Sequence, residues 1–216
     1  DGYLRGQPGV RSVLVNNLGY RQSDYIPVPA QPGSNVVLTL DLKIQEATMK
    51  ALNETKGKGA SAVVINVNSG DIVAMASTPV FDPNQFTPGI SHELWNSYLA
   101  ARPSPLIFRA TQERYPPGSI FKIVSGLAAL EHGLNPTNKT YSAGYYQVGR
   151  RRINDTAAPG HYDFMRAFKK SSNTYFIHHA LAEGRGIEPI IDIGQQFFLG
   201  QLTGLLPGQE TNGQFP

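Results

Sequence analysis

An α+β fold is predicted by three features of the 216-residue sequence. Short apolar runs of strand character fall up to Thr78, and helix-spaced apolar residues take over beyond it. The two classes do not alternate as they would in a parallel α/β sheet. The third feature is a hairpin signal: Asn68-Ser69-Gly70-Asp71 separates two apolar runs inside "ASAVVINVNSGDIVAMAST".

The elements follow in order along the chain. Residues 1–34 are rich in Gly, Pro and polar residues, and only "RSVLVN" and "YIPVP" read as extended. This segment is expected to be the edge of something larger, feeding through "PAQPGS" into a main domain of residues 35–216. There "NVVLTLD" (35–41) reads as a short strand. Asp41 is placed to cap a helix over 42–55, with Leu42, Ile44, Ala47, Ala51 and Leu52 on one broad face and "KGKG" as its stop. After the hairpin at 60–78, the loop "PVFDPNQFTPG" leads to a helix around "SHELWNSYLAA" (91–101). Beyond "YPPG", the segment "SIFKIVSGLAALEHG" (119–133) carries Ile120, Ile123, Val124, Leu127 and Leu130 at helical spacing, and Gly133 suits its end. A polar loop, a strand near "YQVGRRRI" and helices at 162–170, 173–184 and 187–198 complete the chain.

Composition narrows the function. Hydrophobic residues at 40% and charged residues at 16% describe a globular protein with a core, and 22 Gly with 16 Pro describe many turns. The net charge of +3 is too small to argue for nucleic acid, and "GRRR" (149–152) and "FKK" (168–170) read as solvated surface. The absence of Cys excludes a disulfide framework, a thiolate metal site and a cysteine nucleophile. No apolar run approaches the ~20 residues of a membrane span, and "DGYLRGQPGV" does not read as a signal peptide; a native anchor would lie outside this chain. His178 and His179 fall mid-helix without a carboxylate pattern and read as packing or surface groups. The Asn-x-Thr triplets at Asn53, Asn138 and Asn154 read as coincidence, and Trp95 as core or groove lining.

The stretch "RYPPGSIFKIVSG" (114–126) carries chemistry. A serine hydroxyl is a weak nucleophile until a base lies within hydrogen-bond reach. Residues three apart share a helix face, so Lys122 can fold back onto Ser119. Pro116 and Pro117 place Ser119 at a helix start, where free N–H groups favour negative charge. The apolar neighbours in "IFKIV" point to a buried lysine that loses its proton near neutral pH. Ser is also a common N-cap, so the pair alone leaves a plain helix start open. Further on, "FKKSSNTYF" places Ser171 and Asn173 two apart on a turn, where a hydroxyl can shuttle a proton and an amide can hold a substrate amide; N-capping is again the alternative.

The two stretches resemble the Ser-x-x-Lys and Ser-x-Asn set of active-site serine penicillin-recognising enzymes. The likeness widens in order along the chain through "LTLDLKIQEATMKAL", "GASAVVINVNSGDIVAMASTPVFDPNQF", "FRATQERYPPGSIFK", "KKSSNTYFIHHAL" and "FFLGQLTGLLPGQETNGQFP". Together these resemble the class B penicillin-binding proteins, the monofunctional transpeptidases of bacterial peptidoglycan synthesis. The resemblance implies a penicillin-binding, β-lactamase-like transpeptidase fold, an antiparallel sheet flanked by helices. Residues 1–34 would then be the end of a non-catalytic pedestal domain, and 35–216 the N-terminal part of the transpeptidase domain.

By the same resemblance Ser119 is the acylated nucleophile and Lys122 its base. Ser171 relays the proton, and Asn173 holds the substrate backbone. Substrates are stem peptides ending in D-Ala-D-Ala, β-lactams acylate the serine, and no metal or organic cofactor is implied. The location implied is the bacterial envelope, at the outer face of the cytoplasmic membrane, with a membrane glycosyltransferase partner reached through the pedestal. The elongation group is favoured over the division group. The rivals are a D,D-carboxypeptidase, a β-lactamase, a β-lactam sensor and a non-catalytic scaffold for wall assembly. Three departures stand out: Ile120 replaces the usual Thr, Phe108 stands where Asn is frequent, and no Lys is followed by Ser or Thr and then Gly. That third family motif is expected beyond Pro216, so the 216 residues alone are expected to acylate poorly.

Overall fold

The computed structural model describes residues 3–55, 57–87, 89–181 and 186–216. Lys56 of the expected "KGKG" stop, Pro88 of the expected loop and residues 182–184 of an expected helix end lie outside them. The chain forms two compact units, one of Asp1–Glu54 with Ala62–Ala76, the other of Thr55–Ser61 with Ser77–Pro216.

In the first unit, β1 (Val10–Val15) and β2 (Arg21–Val28) pair antiparallel, with Val10 opposite Val28 and Val13 opposite Asp24. Their turn is held by Asn16, whose Oδ1 accepts from Leu18 N at 3.0 Å and Tyr20 N at 2.9 Å. This turn chemistry joins the two predicted extended segments into one hairpin. Helix α1 (Leu42–Asn53) starts where expected, with Asp41 Oδ1 accepting from Ile44 N at 3.1 Å. Strands β3 (Ala60–Ile65) and β4 (Ile72–Thr78) form the predicted hairpin. The Gln45 amide bonds both Met75 N and Met75 O at 2.9 Å, tying α1 to β4 as a further strand would. Ala74 and Ala76 are buried there, whereas α1 buries none of its expected apolar face.

The expected strand over 35–41 is absent. Only its end is tied to β4, through Thr39 Oγ1 to Ile72 O at 2.6 Å and Asp41 N to Val73 O at 2.9 Å. Val37 is 95% exposed, so no face is buried to fix a register.

The second unit holds the remaining described helices. A 3-10 turn at Pro83–Phe86, inside the expected loop, packs Phe86 on Trp95 and Tyr98 of α2 (His92–Ala100). The short α3 (Arg109–Gln112), not expected, buries Arg109, whose guanidinium donates to Ser104 O and pairs with Glu113 at 3.0 Å. The helix expected over 119–133 is a 3-10 turn at Gly118–Phe121 followed by α4 (Lys122–Glu131). Next, β5 (Thr140–Ser142) pairs with β8 (Gly160–Tyr162), and β6 (Tyr145–Val148) pairs with β7 (Arg151–Asn154) as a hairpin between them. Only the β6–β7 region was signalled in the sequence. Helices α5 (Phe164–Lys170), α6 (Asn173–Leu181) and α7 (Glu188–Gln196) follow.

Two apolar clusters flank α4. Val124 and Ala128 pack with Ile193 of α7, and Tyr162, Ala167, Tyr175 and Phe176 pack together near its start. Gly126 permits the close approach, since a Cβ there would lie 3.2 Å from Phe164 and 3.3 Å from Phe176. Among the described residues no helix is long and apolar enough to cross a membrane.

Candidate active site

The site is assembled where α4 begins and where α5 meets α6. Pro116 and Pro117 lead into Gly118, whose φ of 57° lies in the left-handed region open to glycine. That sharp entry presents Ser119 on the 3-10 turn, with its residue exposed. Ser119 therefore precedes the α-helix instead of opening it. Lys122, one turn along, is only 9% exposed. At the other junction Ser171 caps the end of α5 in the left-handed conformation (φ 55°, ψ 39°), and Asn173 opens α6.

All four predicted residues meet at one amine. Lys122 Nζ lies 3.2 Å from Ser119 Oγ, 2.9 Å from Ser171 Oγ, 2.7 Å from Ser171 O and 2.7 Å from Asn173 Oδ1. Ser171 Oγ lies 2.9 Å from Ser119 Oγ, closing a triangle of two hydroxyls and an amine. Ser171 O and Asn173 Oδ1 can only accept, so they take two amine protons. A charged lysine gives its third proton to a hydroxyl; a neutral one instead offers a lone pair to it. Burial lowers the Lys122 pKa below its ordinary 10.5, while the Asp155 carboxylate acts the other way.

Several residues beneath this triangle carried no recognised signal. Asp155, just past β7, accepts from Asn173 N at 2.6 Å and Ala157 N at 3.2 Å on Oδ1. On Oδ2 it accepts from Ser172 Oγ at 2.6 Å, Ser142 Oγ at 3.1 Å and Thr174 N at 3.3 Å. Burial would raise its pKa, but the hydrogen bonds from Ser172, Thr174, Ala157 and Asn173 outweigh it and hold the carboxyl at about 2. Thr156 Oγ1 donates to Ser171 O at 2.7 Å, the carbonyl that also receives Lys122. Fully buried Ser172 takes the N-cap role considered for this turn, accepting from Tyr175 N at 3.2 Å. The signal the sequence offers is "NDT" at 154–156, which reads there as a chance Asn-x-Thr triplet.

Other sequence expectations fall away from this centre. His179 is half-buried, with Nε2 3.0 Å from Thr140 Oγ1, and burial followed by the neighbouring His178 lowers its pKa. His178 meets the Tyr146 ring. Arg150, Arg151 and Arg152 are exposed, the last stacked 3.8 Å over Tyr145. Among the described residues no group of three His, Asp or Glu is placed to hold a metal ion.

Residues 60–216 match the family model described as the penicillin binding protein transpeptidase domain, and the chain belongs to that family. It is 34% identical over its whole length to the peptidoglycan D,D-transpeptidase MrdA of Escherichia coli K12 and spans 34% of that protein. A solved structure described as a peptidoglycan synthase complex coordinating polymerization and crosslinking superposes with a TM-score of 0.81, at 33% identity over 99% of this chain and 40% of that one. Pseudomonas aeruginosa PBP2 in complex with WCK 5153 gives a TM-score of 0.78 at 32% identity, over 88% of this chain and 43% of that one. The α+β transpeptidase fold inferred from the sequence is thereby established. The chain covers well under half of each of these relatives.

Proposed function

We propose that the protein is a serine D,D-transpeptidase of peptidoglycan synthesis, acting through an acyl-enzyme on Ser119. Ser119 Oγ attacks the carbonyl carbon of the penultimate D-Ala of a stem peptide, and its proton passes to Lys122 Nζ. The peptide C–N bond breaks, and the terminal D-Ala leaves with a proton delivered through Ser171. An amine from a neighbouring stem then attacks the ester, forming the cross-link and restoring the hydroxyl. Asn173 holds the donor backbone. A β-lactam follows the first half, its ring amide opening onto Ser119.

The closed triangle of Ser119 Oγ, Lys122 Nζ and Ser171 Oγ carries this reading, because nucleophile, base and relay lie within 3.2 Å of one another. Family membership and the likeness to MrdA support it. In the same reading residues 1–34 end a pedestal domain, and the protein works at the outer face of the cytoplasmic membrane beside a glycosyltransferase, as a member of the elongation group. The likeness to a synthase complex supports the partnership.

Labelling with a fluorescent penicillin tests the proposal. The native protein carrying this chain is expected to take up label that maps to Ser119, and Ser119→Ala to take up none. Persistent label on the Ala variant would remove Ser119 from the role. The 216 residues contain no Lys-Ser/Thr-Gly. The family resemblance implies that the strand carrying that motif supplies one oxyanion-hole N–H; loss of one such donor costs roughly 10²–10³ in rate, so this chain by itself is expected to label far more slowly than the native protein.

A further inference from the structure

Asp155 is not one of the four residues given a chemical role above, yet the turn that carries two of them hangs on it. Its carboxylate receives the Ser172 hydroxyl and the backbone N–H of both Asn173 and Thr174, the first turn of α6. It also receives Ser142 Oγ from β5 and Ala157 N from its own loop, so both oxygens are occupied. Its backbone N–H donates to Gly144 O at 2.8 Å, fixing the carboxylate at the base of the β6–β7 hairpin. Next to it, the Thr156 hydroxyl donates to Ser171 O at 2.7 Å. Ser171 meanwhile occupies a left-handed conformation that a serine does not favour, so the turn needs outside support.

We propose that Asp155 is a positioning residue for the reaction, its carboxylate holding the Ser171–Asn173 turn so that hydroxyl and amide both meet the Lys122 amine, with Thr156 as the second jaw of the clamp. The inference rests on the reading of Ser119 and Lys122 as nucleophile and base. The carboxylate suits the task where an amide does not. Each Asp155 oxygen receives at least one backbone N–H, so an Asn in either orientation sets its NH₂ against a backbone donor.

The carboxylate also reaches Lys122 by its charge. Burial lowers the Lys122 pKa and Asp155 raises it; the other groups around Nζ, namely Ser119, Ser171, Asn173 and the Phe176 ring 6.0 Å away, carry no charge. This separates a positioning role from a merely structural one. Acylation that needs neutral Lys122 rises with pH along a limb set by that amine. Removing the negative charge removes the influence that raises its pKa, and the limb moves to lower pH.

The experiment measures the second-order rate of acylation by a fluorescent penicillin against pH, on the native protein, with thermal unfolding alongside. Asp155→Asn is expected to lower the plateau rate roughly 10²-fold, the scale of a displaced catalytic group, and to shift the limb downward. Thr156→Val, at an exposed position, removes one jaw and no charge; it is expected to slow acylation about 3- to 10-fold with the limb unmoved. A folded Asp155→Asn protein with the native rate and limb overturns the proposal. So does one whose only defects are a lower melting temperature and a smaller labelled fraction. If Asp155→Asn fails to fold, Thr156→Val decides, and a native rate there overturns the clamp. If the unsubstituted protein takes up no penicillin, the reading of Ser119 falls and this inference with it; if only the variants behave like the native protein, the clamp alone falls.

Discussion

Lys122 has three protons to offer when charged and four oxygen atoms in range, so one contact must always be shared or reversed. In the proposed reaction that surplus lets the amine trade a proton with Ser119 without losing its place. A guanidinium cannot make the trade, because it stays protonated and its donors are fixed in a plane. Lys122→Arg is therefore expected to cut penicillin acylation roughly 10²–10⁴-fold, the usual worth of a general base. A stopped-assay rate within a few-fold of native would remove Lys122 from that role. Lys122 and the three residues around its amine are legible because each pair sits within three positions on the chain. Asp155 was not: its bonds to Ser172 and Asn173 span 17 and 18 residues, and no local period announces a contact of that kind.

At the scale of elements, helices with strong apolar spacing were read correctly to within a few residues, and the errors fall where tertiary contacts decide. The break between the 3-10 turn and α4 follows from Pro116, Pro117 and left-handed Gly118, which set the entry angle before the helical repeat can begin. Strands β5 and β8 have three residues each, too few to show an alternation, and exist because they pair with each other. Residues 35–41 show the converse, with strand-like composition but no ladder. Gly126 of α4 lies close against Phe164 of α5 and Phe176 of α6. Gly126→Val is expected to destabilise the chain by about 1–3 kcal/mol through overpacking, read as a lower urea midpoint at unchanged m-value. An unchanged midpoint would mean the two rings yield freely.

For the molecule as a whole, acid is the condition that acts on the same machinery from outside. The Asp155 carboxyl, held at about 2 against 3.8 in an unperturbed chain, binds its proton more weakly when folded than when unfolded. Its contribution to stability is thus complete above about pH 4 and is lost as pH falls through about 2. Melting temperature is expected to decline over that window, and the decline to be shallower in Asp155→Asn, which starts lower. Parallel declines would show that other carboxylates dominate. The α+β class was legible at this scale because strand-like and helix-like segments are segregated along the chain. The two-unit division was not, since residues 55–61 separate from the strand residues that follow them in a way no composition shift marks.

The left-handed backbone at Ser171 puts the proposed relay hydroxyl on a joint, outside the regular body of either α5 or α6. A group inside a helix inherits that helix's stiffness, whereas one at a joint moves whenever the helices swing apart. Any ligand or partner that levers α5 against α6 would therefore reach the chemistry through Ser171 and Asn173, without touching Ser119 at all.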